Sequence, residues 1–322
     1  MATRIFPAWR RPQQRWRFLA LLLSVAVGAG LTACAATDAR TEASADHPAA
    51  VATGVASPPP GVVVTADVPY AGTTNRLQRL DICAPAADGG AARPAVLLLH
   101  GGGWMHGDKA VADYHRVCTW LAQSGFVTFD ADYRLAPAVR FPAPLEDATA
   151  ALRFIRMPAT AERYELDTAR VGVVGGSAGG NLAALLALRG HGGTLTTGDR
   201  VAALVDLSGP VDLTAAGRSR SQSPELTRDE LSYLGCRRLA SCPTAKRASP
   251  LFDVDPSDPP TFIGQASVDF VPHQQGDRLR AALEDAGVPV TLEQRPGRAH
   301  SIGVLTPAMK ADVVTFLHDR LG

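Results

Sequence analysis

Residues 171–189 read VGVVGGSAGGNLAALLALR, and the change of pattern inside this stretch decides the architecture. Residues 171–174 form a short apolar run of the kind buried on both faces of a sheet, while 178–189 read as a helix. Between them Gly175-Gly176-Ser177-Ala178-Gly179 matches G-x-S-x-G, a sharp strand-to-helix turn whose flanking positions must be small. Such a turn presents a serine hydroxyl at a helix N-terminus, where unpaired backbone N–H groups point outward. A glycine-rich turn that only caps a helix with serine gives the same letters, so the surrounding chain has to discriminate.

Working outward, short strands are predicted at 78–83, 95–99 (AVLLL), 126–130 (FVTFD), 202–207, 261–266 and 289–293. Helical patterns fall at 110–123, 144–156, 273–286 and 306–320. Strands alternating with helices imply an α/β fold, a mostly parallel sheet with helices on both faces. His100-Gly101-Gly102-Gly103-Trp104 follows the strand at 95–99 directly. Three successive glycines let backbone N–H groups of Gly102 and Gly103 approach a substrate, and with the N–H of Ala178 they would form an oxyanion hole. Gly101 belongs to the same loop. His100 is expected to fix that loop by hydrogen bonds, and Trp104 either lines a pocket or anchors the loop.

Four separated motifs together carry a resemblance: HGGGW at 100–104, DYRLAP at 132–137, FPAPLED at 141–147 and GGSAGGN at 175–181. In this order they resemble the α/β-hydrolases of the hormone-sensitive-lipase-like group. Gly107-Asp108-Lys109 after the first motif looks most like its bacterial, feruloyl-esterase-like branch. The resemblance covers roughly residues 62–322. It implies an eight-stranded, mostly parallel sheet and a serine–acid–histidine triad, with no cofactor and no metal. The order Ser, acid, His points to His300 in the loop after strand 289–293, where it would take the proton of Ser177 and return it to the leaving group. Asp269 is the acid of the turn after strand 261–266, in a loop shifted from the usual family spacing. Asp258 and Asp277 are worse placed. The 132–137 and 141–147 runs are expected to shape a loop and cap helix 144–156, and Asp212 reads as structural.

The chain has 322 residues and a net charge of +1, which gives no electrostatic case for nucleic-acid binding. Arg4, Arg10, Arg11, Arg15 and Arg17 precede the apolar run FLALLLSVAV at 18–27, with no acid before residue 34. That pattern reads as an export signal over 1–33, too short for a membrane span of about twenty residues. Leu31-Thr32-Ala33-Cys34 resembles a lipobox, so Cys34 would carry lipid and anchor the chain to a bacterial envelope membrane. A plain secretory signal is the other reading, and Arg10-Arg11 only hints at a twin-arginine route. The Ala/Pro-rich stretch to residue 61 reads as a tether, and 62–322 as one catalytic-sized domain. A loop-closing bridge is plausible for Cys236 and Cys242, whereas Cys83 and Cys118 read as buried thiols.

The stretch 212–258 reads as an irregular insertion that should fold over the site as a small lid. Its Arg and Ser content lacks the apolar surface of an interfacial lipase. These features point to hydrolysis of short acyl esters of small molecules. Polysaccharide acetyl or feruloyl esters, an aryl-formamidase-type amide, or a catalytically silent binding lipoprotein are the alternatives.

Overall fold

A computed structural model describes residues 58–322 except 87–89, 193 and 221. The expected leader over 1–33, Cys34 and the tether as far as 57 lie outside the described residues. The strands are β1 (Val62–Pro69), β2 (Arg79–Pro85), β3 (Arg93–Leu99), β4 (Val127–Ala131), β5 (Leu166–Gly176), β6 (Ala203–Leu207), β7 (Thr261–Val268) and β8 (Val290–Arg298). They form one eight-stranded sheet in the order β1-β2-β4-β3-β5-β6-β7-β8. β2 runs antiparallel to both neighbours, and every pair from β4 to β8 is parallel. This is the α/β-hydrolase architecture expected from the motifs.

The helices are α1 (Ala112–Gln123), α2 (Ala143–Ile155), α3 (Pro158–Tyr164), α4 (Ala178–Leu188), α5 (Pro224–Leu234), α6 (Gln274–Asp285) and α7 (Pro307–Leu321). β3 shows why they lie on both faces. Its alternate residues Ala95, Leu97 and Leu99 belong to the core that also holds α2, α4 and α6, while Val96 and Leu98 belong to the core that holds α1 and α7. A strand buried on both sides needs apolar residues at every position, and that need is what removes alternation from its sequence. α4 is buried at every residue, between α2 and the sheet.

Two expectations about the helices need correction. The stretch 212–258 is not irregular throughout, because it holds α5. Ser223 caps that helix by accepting from the N–H of Leu226, Pro224 opens it, and Gly235 ends it in the left-handed conformation. Its buried face, Leu226, Glu230, Tyr233 and Leu234, carries a carboxylate where the apolar period needs a hydrophobe. That interruption hid the helix. The second correction is in α2, which has no side-chain cap. The Asp147 carboxylate instead accepts from Gln78 Nε2 and from the backbone and Nε of Arg134, joining three segments below the motif loops.

The cysteines form two disulfides. Cys236–Cys242 is the expected small loop, and Cys83–Cys118 overturns the reading of two buried thiols by tying β2 to α1. Both partners of the second are buried apolar neighbours, so burial alone could not distinguish thiol from bridge. Closing a loop of 35 residues restricts the unfolded chain. Replacing both cysteines by Ala is expected to lower unfolding free energy by about 3–4 kcal/mol on chain-entropy arguments. Denaturant titration of the variant, beside wild type with and without reductant, measures it.

Candidate active site

The loops of the site follow the C-terminal ends of parallel strands. Ser177 sits between β5 and α4 with φ 56° and ψ −121°, a backbone region that non-glycine residues rarely occupy. The turn closes because α4 begins almost on top of β3. A Cβ on Gly179 would lie 2.1 Å from the carbonyl oxygen of Leu99, so only a bare α-carbon fits there.

The structure brings Ser177, His300 and Asp269 into one hydrogen-bonded line. His300 Nε2 is 2.8 Å from Ser177 Oγ, and Nδ1 is 2.5 Å from Asp269 Oδ1. An ionised carboxylate only accepts, so Nδ1 carries the ring proton and Nε2 is free to accept the serine proton. The Asp269 side chain is buried and takes two further bonds, from Ser208 Oγ at 2.6 Å and from the N–H of Val271 at 3.1 Å. The other acids are engaged elsewhere: Asp258 accepts from the N–H of Asp255, and Asp277 pairs with His273. Asp212 pairs with Arg278 and holds Thr214.

The glycine loop faces this line. Gly102 has φ 120°, and its carbonyl turns inward to accept from the N–H groups of Met105 and His106. The N–H groups of Gly102 and Gly103 have no acceptor among the described residues. Ala178 is the first residue of α4, where an N–H has no intrahelical partner. Gly101 differs, since its N–H donates to Tyr114 Oη at 2.7 Å. His100 is buried, stacked on Tyr133 at 4.2 Å, with Nδ1 2.7 Å from the carbonyl of Gly101. Burial pushes its pKa down to about 4, so the ring is neutral and serves the loop by hydrogen bonding. Trp104 is fully buried and stacks on Tyr233 of α5 at 4.4 Å, which makes it an anchor and not a pocket wall.

Ser177, His300 and the glycine loop at 101–103 line a cavity of about 460 Å³, with Val111, Phe270 and Ile302 as apolar wall and Asp229 of α5 also lining it. Sequence reasoning missed Ser208, Tyr114 and Asp229. Tyr114 Oη also lies 3.0 Å from Ser301 Oγ, so one side chain of α1 links the glycine loop to the residue after His300. No short motif signals it, because the link exists only once α1 packs against the sheet. Among the described residues no cluster of three or more His, Cys, Asp or Glu could hold a metal.

A BD-FAE family model matches residues 80–283. An ethyl acetate hydrolase of Pseudomonas putida is 33% identical over 233 residues, covering 67% of this chain and 68% of that protein. Neutral cholesterol ester hydrolase 1 of Mus musculus is 39% identical over 95 residues, 29% of this chain, and the match spans only 23% of that relative's length. Among solved structures, a truncated carbohydrate esterase from gut microbiota superposes with TM-score 0.71 at 26% identity, over 80% of this chain and 96% of that one.

Behind the site, Asp206 of β6 is fully buried. Its Oδ1 accepts from the N–H of Gly209, and its Oδ2 has no partner. Burial, with the charge of Asp269 nearby, pushes its pKa up to about 7. A carboxyl raised in the fold holds its proton more tightly than in the unfolded chain. The stabilisation this gives is full below about pH 4 and is lost as pH rises to about 7. Glu230 and Asp258, both also raised to about 7 by burial, add slope in the same window. Asp206→Asn keeps the bond to Gly209 and removes one ionisation. It is expected to raise the urea midpoint at pH 8 and to change it much less at pH 4, flattening the pH profile.

Proposed function

The chain belongs to the BD-FAE family, and from that premise we propose that it is a serine carboxylic-ester hydrolase working through an acyl-enzyme on Ser177. The observation that carries the reading is the line Asp269–His300–Ser177 opposite the unpartnered N–H groups of Gly102 and Gly103. His300 Nε2 takes the proton of Ser177 as Oγ bonds to the ester carbon. The carbonyl oxygen, now negative, is met by the N–H groups of Gly102, Gly103 and Ala178, each donor of this kind being worth about 3–4 kcal/mol of barrier. Collapse breaks the C–O bond, and the proton on Nε2 goes to the departing alkoxide. Water then attacks the acyl-serine, gives its proton to His300, and Ser177 is regenerated with release of the acid. Asp269 keeps Nδ1–H aligned and stabilises the imidazolium.

A cavity of about 460 Å³ suits short acyl chains. Acyl groups carried on carbohydrate are a second reading of the same chemistry, favoured by the likeness to the carbohydrate esterase. The lipobox-like Leu31-Thr32-Ala33-Cys34 supports export and anchoring through lipid on Cys34, and two disulfides fit passage through an oxidising compartment. Cys34→Ser is expected to move the protein from the membrane to the soluble fraction of an expressing bacterium, and an unchanged membrane fraction would remove the anchor.

A ladder of p-nitrophenyl esters from C2 to C16 tests the reaction, with an aryl formamide alongside. The expected optimum lies at C2–C4. Ser177→Ala should lose about 10⁵–10⁶ of kcat and Asp269→Asn about 10⁴. An optimum at C12–C16 would sink the short-chain reading. Turnover untouched by Ser177→Ala would sink the acyl-enzyme.

A further inference from the structure

The cavity is lopsided in charge. Asp113, Glu225 and Asp229 open onto it, and among the described residues no Lys or Arg lines it. His106 is the basic side chain there besides His300. Asp113 is partly answered by Arg116 on its own helix. Glu225 and Asp229, one turn apart on α5, have no hydrogen-bond or ion-pair partner among the described residues. Asp229 is also placed where charge matters most. A Cβ on Gly103, which has φ 59°, would come within 2.5 Å of Asp229 Oδ2, so the carboxylate rests directly against the glycine loop. Burial raises its pKa, the charges of His106 and, less, of Arg228 oppose that rise, and Glu225 acts in the same direction as burial.

Resting on the ester-hydrolase reading, we propose that Asp229, with Glu225 beside it, makes the site select esters by charge, preferring substrates that carry a cationic group and disfavouring those that carry a carboxylate. An unpaired carboxylate next to Gly103 opposes the negative charge that develops on the substrate oxygen in the same loop. A cation on the substrate offsets that opposition and is itself attracted, while a second anion adds to it. The same field acts after the reaction. The acid released is an anion formed beside two carboxylates, so it is expelled and inhibits weakly.

The test uses three phenyl acetates, unsubstituted, para-trimethylammonium and para-carboxylate, each kcat/KM divided by that ester's alkaline hydrolysis rate to remove intrinsic reactivity. The normalised cation-to-anion ratio is expected to be about tenfold or more at low salt and to shrink as ionic strength screens the pocket. It should fall in Asp229→Asn and fall further with Glu225→Gln added. Glu225 is exposed, so its single variant also reads the effect without disturbing the fold. A ratio near one in wild type, or a ratio unmoved by every variant, overturns charge selection while turnover of neutral phenyl acetate leaves the hydrolase reading standing. No turnover of any of the three esters removes both.

Discussion

The approach of α4 to the end of β3 is the constraint on which the site depends. With no side chain at Gly179, the helix starts against the carbonyl of Leu99, and the chain between β5 and α4 has room for only one tight turn. Ser177 takes a backbone conformation with φ 56° because its neighbours leave no other. Parallel pairing then does the rest. The ends of β3, β5, β6, β7 and β8 lie along one edge of the sheet, and the loops after them supply in turn Gly101–Gly103, Ser177, Ser208, Asp269 and His300. Five segments far apart in sequence meet because strands that run the same way must end on the same side.

Packing behind that edge sets the electrostatics. Lys109, buried, reaches Asp67 at 2.8 Å and Asp81 at 3.0 Å, while its N–H donates to Asp132. One lysine thus ties β1, β2 and the segment after β4 to the loop that follows HGGGW. Its charge does not suffice for all the acids nearby. Burial holds Asp130 well above the usual carboxylate range, and lifts Asp132 to about 6. The Gly-Asp-Lys triplet at 107–109 braces the glycine loop, since a Cβ on Gly107 would come within 2.6 Å of the carbonyl oxygen of Gly101.

The sequence was most legible where one physical requirement dominated each position. β3 had to be apolar throughout, the 175–179 turn had to be small, and the histidine had to follow the last strand, so the fold and the places of Ser177 and His300 in it could be read. Asp269 was readable by elimination, since it is the acid in its turn. What stayed hidden depends on contacts between segments. α5 was obscured by the buried Glu230, which Gln222 partners at 2.8 Å. The Cys83–Cys118 bridge needs the register of α1 on β2. Ser208 and Tyr114 are ordinary residues until β6 and α1 bring their hydroxyls to Asp269 and Gly101.

The way α5 is fastened has a kinetic consequence. Tyr233 is sandwiched into the body of the protein, face against Trp104 and edge toward Phe141, and the carbonyl of Tyr233 accepts from the N–H of Phe141. Just beyond the helix the Cys236–Cys242 bridge closes the chain on itself. Swinging α5 aside would uncover a buried indole and phenol together and break that bond to Phe141. α5 is therefore a fastened wall of the cavity. On the proposed hydrolysis, substrate and product pass the mouth of the cavity without any hinge motion of α5, which removes the opening of that helix as a gating step.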